Sequence, residues 1–199
     1  ETVEAIAVAG GPGSFTGLRI GSATAKGLGL ALKKPLVHVP TLEGMACNLW
    51  GTNRVICPMM DARRNQVYAG IYEFREGKLQ VLADQMAVPV AEVTDRLNEI
   101  GRPAILLGDG ADVYRETVLQ ELTVPVLFAP AHLNRQRASA VAVRAMEYVR
   151  EGKTESAARH QPDYLRVSQA ERERAKRLER SGHALENHSR TETGCGEKR

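Results

Sequence analysis

A short, nearly continuous apolar run, Val3 to Ala9, stops at Gly10-Gly11-Pro12-Gly13, and a long small-residue segment from Leu18 to Leu32 follows. No other feature limits the fold so strongly. The run reads as a buried strand broken by glycine and proline, and the segment after the loop is long enough for a helix. Ser14 or Thr16 can cap its first turn, and Lys33 and Lys34 sit where a helix C-terminus favours cations. The segment is rich in Gly21, Ser22, Ala23, Ala25, Gly27, Gly29 and Ala31. Each glycine costs a helix about 1 kcal/mol relative to alanine, so close approach of another helix is the compensation expected here.

The same alternation continues down the chain. Pro35 to Pro40 predicts a strand, Leu42 to Leu49 a helix, and Val55 to Met60 a strand ending at Asp61-Ala62-Arg63-Arg64. Val67 to Phe74 and Leu79 to Val88 flank Glu76-Gly77-Lys78 and predict an antiparallel hairpin. Val90 to Ile100 has helical spacing, Ala104 to Leu107 reads as a buried strand, and Asp112 to Leu122 as a helix. A strand at Val124 to Phe128 and a helix from Ala138 to Glu151 complete the pattern. Strands alternating with helices, plus one hairpin, predict an α/β fold with a mixed sheet. From Ser168 onward large apolar residues almost vanish. Ser168-Gln169-Ala170-Glu171 has capping-box spacing for a solvated helix, and the composition beyond Ser181 predicts disorder.

With 199 residues and 43% hydrophobic content the chain can bury a core. A net charge of +3, spread along the chain, does not single out a nucleic-acid surface; the Arg and Lys residues from Arg172 to Arg180 are interleaved with Glu and read as i,i+4 pairs. Cys47, Cys57 and Cys195 are odd in number and lack CxxC spacing, which argues against a zinc cage or disulfide framework and for a reducing, cytoplasmic location. No apolar run approaches the roughly 20 residues that cross a bilayer.

Chemistry-bearing motifs are few. Gly11, Gly13, Ser14, Thr16 and Gly17 lie in a strand-to-helix turn that can present backbone N–H groups to a phosphate, or can simply let the helix pack on its sheet. Leu18 and Arg19 stand where a Walker A loop needs Lys and Ser or Thr. Asp61, Asp109 and Asp112 follow strands or turns, where carboxylates serve nucleotides and metals but more commonly cap turns. His38, His132, His160, His183 and His188 contain no HExxH and no pair three or four apart, so no metal site is expected; Ser14 is not in a Gly-x-Ser-x-Gly elbow.

The segment Gly11 to Gly21, followed by Ala23-Thr24-Ala25-Lys26-Gly27-Leu28, resembles the signature of the TsaB (YeaZ) family, and Pro40-Thr41-Leu42-Glu43, Asp61-Ala62-Arg63-Arg64 with Val67-Tyr68, and Pro162-Asp163-Tyr164-Leu165-Arg166 follow in the family's order. The resemblance implies an actin-like, Hsp70-type (ribonuclease H-like) two-lobed fold with mixed sheets. It places residues 1–45 in an N-terminal lobe, 46–136 in a second lobe, 137–166 in a helix and Tyr-Leu-Arg segment returning to the first, and 167–199 in a charged tail. The first lobe is expected to be incomplete, because the hairpin and helix that open the family's chains have no counterpart before Val3; the bared sheet edge is expected to promote self-association.

The resemblance further implies a non-catalytic partner subunit for tRNA N6-threonylcarbamoyladenosine formation. It pairs with a TsaD-type transferase, is joined by a TsaE-type ATPase, meets tRNA only through the complex, and also homodimerises in isolation. No cofactor is intrinsic, and ATP or ADP is expected at the partner interface if anywhere. The interface falls on the helix after the loop, through Leu18, Gly21, Ser22, Ala25, Leu28, Gly29 and Leu32. Asp61, Arg63, Tyr68, Tyr164 and Arg166 are family motif positions without an assigned role, and Gln66 stands where the family usually has Glu. Competing readings are a nucleotide-binding enzyme of the actin-like superfamily and, with less in the sequence to support it, a peptidase-like homologue.

Overall fold

A computed structural model describes residues 3–165. Strand β1 (Ile6–Gly11) leads through the glycine loop into helix α1 (Phe15–Leu32), and β2 (Leu36–Pro40) returns beside β1 as its parallel partner. Helix α2 (Thr41–Ala46) and a 3-10 turn at Cys47–Leu49 follow. Then come β3 (Val55–Asp61), β4 (Gln66–Arg75), β5 (Lys78–Pro89), α3 (Val90–Ile100), β6 (Ala104–Leu107), α4 (Asp109–Val113), α5 (Arg115–Glu121), β7 (Val126–Phe128) and α6 (Ala138–Arg150).

The second sheet has order β5-β4-β3-β6-β7, antiparallel across β5, β4 and β3 and parallel across β3, β6 and β7. The protein is thus α/β with a mixed five-stranded sheet. Both faces of that sheet are covered, which is why its central strands read as unbroken apolar runs. Val55, Cys57, Met59, Ala104 and Leu106 point to the side of Val93, Leu97 and Val118, whereas Ile56, Tyr72 and Leu107 point to the side of Leu42, Met45 and Leu49. The two-stranded sheet is sandwiched in the same way. Ile6, Val8 and Leu36 meet Ala25 of α1 and Ala157, while Val37 and Val39 meet Val141 and Ala145 of α6.

One expectation needs correction: the segment from Asp112 to Leu122 is two short helices, broken at Tyr114 (φ −103°, ψ 19°). Helix α2 joins the two sheets, its Leu42, Met45 and Ala46 buried with the five-stranded sheet while Gly44 lies against Val39 and Val141. A buried ion cluster fixes this junction. Arg144 Nε donates to Glu43 Oε2 at 2.7 Å, Arg144 Nη1 to Glu147, and the Tyr148 hydroxyl to the same Glu43 oxygen at 2.7 Å. Glu43 and Arg144 are both buried. A lone charge there would be costly, and the mutual pairing, with the extra hydrogen bonds, offsets the desolvation.

Candidate functional site

The glycine loop is held by its own chain from several directions. Thr41 Oγ1 accepts from Gly11 N at 3.2 Å, and Ser14 caps α1, its Oγ accepting from Gly17 N at 3.4 Å. After α6 the chain returns. Glu155 bridges Leu36 by reciprocal backbone hydrogen bonds of 2.9 Å, and Asp163 N donates to Gly10 O at 2.7 Å. Lys26 Nζ of α1 donates to the carbonyls of Ala158 and His160 at 3.3 and 3.1 Å. At the end of this return Tyr164 stacks on Phe15 (ring centroids 4.7 Å apart), and Arg19 lies 4.0 Å over the Phe15 ring with its Nε 3.4 Å from the Tyr164 hydroxyl.

These contacts explain two glycines that otherwise invite a phosphate. A Cβ at Gly10 would overlap the His38 imidazole, and one at Gly11 (φ +131°) would overlap the Asp163 carbonyl. Close packing by the chain itself therefore accounts for them, leaving Gly13, Ser14, Thr16 and Gly17 as the turn proper. Arg166 lies outside the described residues, as do the capping-box segment, the charged run and the tail.

The residues of α1 separate into two sets. Ser22, Ala25 and Gly29 are buried on the protein's own body; a Cβ at Gly29 would strike Leu36 and approach Ala157 to 2.9 Å. These three, expected at a partner interface, instead seat α1 on its own sheet, because the helix can lie this close only over small side chains. Ile20, Ala23, Thr24, Gly27, Leu28, Ala31 and Leu32 are exposed, and Leu18 and Gly21 half-buried. Cβ atoms at Gly21 and Gly27 would meet nothing within 4 Å. Beside this face Gly21, Thr24 and Leu28 border a groove of about 1110 Å³, floored by β1 and walled opposite by Val141, Met146 and Val149 of α6.

Asp61, Arg63 and Tyr68 lie on the other sheet, around the β3–β4 turn. Asp61 Oδ1 accepts from Arg63 N at 2.8 Å and from the Tyr114 hydroxyl at 3.2 Å. Burial, and then the Asp61 carboxylate, push the Tyr114 phenol above its ordinary pKa. Arg63, Arg64 and Asn65 adopt φ of 66°, 58° and 57° in succession, a left-handed turn that non-glycine residues seldom sustain. The Arg63 N–H held by Asp61, and the 2.9 Å bond from Ala62 N to Gln66 O, stabilise it. Tyr68 stands opposite Met60 in the ladder and packs beside Tyr72 and Leu79. Asp109 Oδ1 accepts from Asp61 N and Gly110 N, and Asp112 Oδ2 accepts from Asn134. Each of these carboxylates is engaged in holding a turn. None of the described helices is long and apolar enough to cross a membrane.

Sequence spacing could not bring out the Phe15–Arg19–Tyr164 stack or the pairing of His38 with Asp163, because their partners come from opposite parts of the chain. The signal that was available is the motif Pro162 to Leu165 itself, whose Tyr164 has no local reason for its place.

The loop, helix and returning segment place the chain in a defined class. A family model described as TsaD, tRNA N6-adenosine threonylcarbamoyltransferase, matches residues 1–174. The chain is 34% identical over 173 residues to the tRNA threonylcarbamoyladenosine biosynthesis protein TsaB of Bacillus subtilis, covering 86% of this chain and 73% of that one. It is 33% identical over 172 residues to the Escherichia coli protein of the same name, covering 82% and 71%. Among solved structures, YeaZ from Pseudomonas aeruginosa superposes with a TM-score of 0.69 at 25% identity, covering 82% of this chain and 74% of that one. An uncharacterized protein described as similar to peptidase YEAZ from the same organism superposes at 0.70, with 26% identity and the same coverage. The chain belongs to the TsaB (YeaZ) family.

Proposed function

We propose that this chain is a cytoplasmic, non-catalytic partner subunit in tRNA N6-threonylcarbamoyladenosine formation, pairing with a TsaD-type transferase through the exposed face of α1 and working beside a TsaE-type ATPase. Its fold on this reading is the actin-like, two-lobed one of the superfamily. The observation that carries it is the second set of small residues on α1. Ala23, Gly27 and Ala31 recur at i, i+4 on the exposed side, flanked by Ile20 and Leu28. No described residue of this chain needs a glycine at 27, yet glycine weakens the helix; a helix from a partner, lying close, supplies the reason.

The turn from Gly13 to Gly17 opens α1 beside this face, so a nucleotide at the interface would meet Ser14 and Thr16 there. The Asp61 carboxylate at the β3–β4 turn and the Asp109 carboxylate at the start of α4 are each engaged in holding backbone N–H groups, which favours a scaffold over a nucleotide-hydrolysing enzyme. The test is reconstitution of the chain with transferase and ATPase, scoring modified adenosine on tRNA. The chain is required, and Gly27→Trp abolishes both pairing and product while the variant stays folded. Equal product without the chain overturns the reading.

Self-pairing is a second mode, favoured by one observation: among the described strands β1 pairs only with β2, leaving its other edge on the apolar groove. Light scattering decides it, since a monomer at all concentrations rules it out.

A further inference from the structure

We propose that His38, His160 and Glu155 form a binding site for a divalent transition-metal ion of the zinc class, which fastens the returning segment to β2. The three residues come together only in the fold: His38 from β2, and Glu155 and His160 from the chain after α6. One ligand atom from each lies within 4.8 Å of the others. The two imidazole rings are 5.6 Å apart between centroids. Imidazole nitrogen with carboxylate oxygen is the donor set that zinc accepts, at bonds of about 2.0–2.2 Å, so a small inward movement of the side chains completes the site.

Two histidine–carboxylate pairs without an ion are the competing account. It explains part of the geometry, since His160 Nδ1 is 2.7 Å from Glu155 Oε1. It leaves the rest unexplained. The His160 side chain is fully buried, and its Nε2 has no hydrogen-bond partner among the described residues. His38 Nε2 is 3.1 Å from Asp163 Oδ2 yet lacks the alignment of a hydrogen bond. Buried ring nitrogens are seldom left in this state, and an ion satisfies both. Asp163 is near enough to His38 to complete or orient the ligand set.

The cluster also has an entrance. His38, Glu155 and Asp163 line an open recess of about 500 Å³. The consequence of loading is mechanical. Asp163 holds Gly10 through its backbone, and Tyr164 next to it holds Phe15 and Arg19. An ion at the cluster therefore secures the start of α1.

The experiment uses the untagged full chain, stripped with chelator and titrated with Co(II) and then Zn(II). The expected result is one equivalent of Co(II) with visible d–d absorption displaced by Zn(II), and a rise in melting temperature on adding Zn(II). His38→Ala and Glu155→Gln, neither of which empties a fully buried position, lower the affinity by roughly 10- to 100-fold. A variant lacking His183 and His188 binds as the parent does. The proposal is overturned if no stoichiometric ion binds, if His38→Ala and Glu155→Gln bind as the parent, or if loss of His183 and His188 abolishes binding.

Discussion

The imidazole of His38 occupies the space that any side chain at residue 10 would need. Gly10→Ala is therefore an overpacking substitution, expected to lower stability by about 1–3 kcal/mol in urea unfolding. Gly21→Ala and Gly27→Ala have open space around the new methyl group and are expected to stabilise the isolated chain by about 0.5–1 kcal/mol each. If all three substitutions shifted the urea midpoint in the same direction, this account of the glycines would fail.

Breaking the ion cluster between α2 and α6 is expected to be severe. Arg144→Leu strands the buried Glu43 carboxylate and should cost about 3–5 kcal/mol. Glu43→Gln together with Arg144→Met removes both fully buried charges, leaving only the half-buried Glu147 without its Arg144 partner, and should recover much of that loss. A double-mutant cycle measured by chemical denaturation checks it; strictly additive effects would show that the pair is not coupled.

Acid should weaken the five-stranded sheet at β4, which lies between β5 and β3. Burial works against ionisation of Glu73, but the guanidiniums of Arg102 (2.5 Å) and Arg75 outweigh it and hold the carboxyl below its ordinary range. With the folded pKa below the unfolded one, the stabilisation is complete above the usual glutamate pKa of about 4.3. It is lost as pH falls through the depressed folded value. Urea midpoints of the parent should therefore decline more steeply below about pH 4.3 than those of Glu73→Gln. Parallel curves would remove Glu73 from the account.

Thiol labelling should separate folded from unfolded chain. Burial pushes the Cys57 and Cys47 thiols up to about 12, so thiolate is scarce at neutral pH. Peptide-resolved mass spectrometry after alkylation should find both unmodified in native buffer and modified in denaturant. Fast native labelling of Cys57 would contradict the closed core around β3.

How much of this was readable from the chain depends on the range of the interaction. The hydrophobic periodicity marked α3 at Val90–Ile100 and β6 at Ala104–Leu107 to the residue, because each element's own burial pattern dictates it. The break at Tyr114 was invisible, since the pull on it comes from Asp61, far away in sequence. On α1 the small residues form one group in the sequence, and only the three-dimensional setting divides them. Ser22, Ala25 and Gly29 face the chain's own sheet, while Ala23, Gly27 and Ala31 face outward. The histidine cluster is hidden from the sequence for the same reason. Spacing rules see ligands that share a helix or a loop, and His38 and His160 share neither.

The backbone bridge between Leu36 and Glu155 also sets an order of events during synthesis. The glycine loop, α1 and β2 leave the ribosome before the contacts that seat them on one side, which come from residues made more than a hundred positions later. Until then Leu36, the Gly10 carbonyl and the Phe15 ring lack the partners that cover them in the finished protein. The glycine loop, α1 and β2 are thus made well before the segment that completes them.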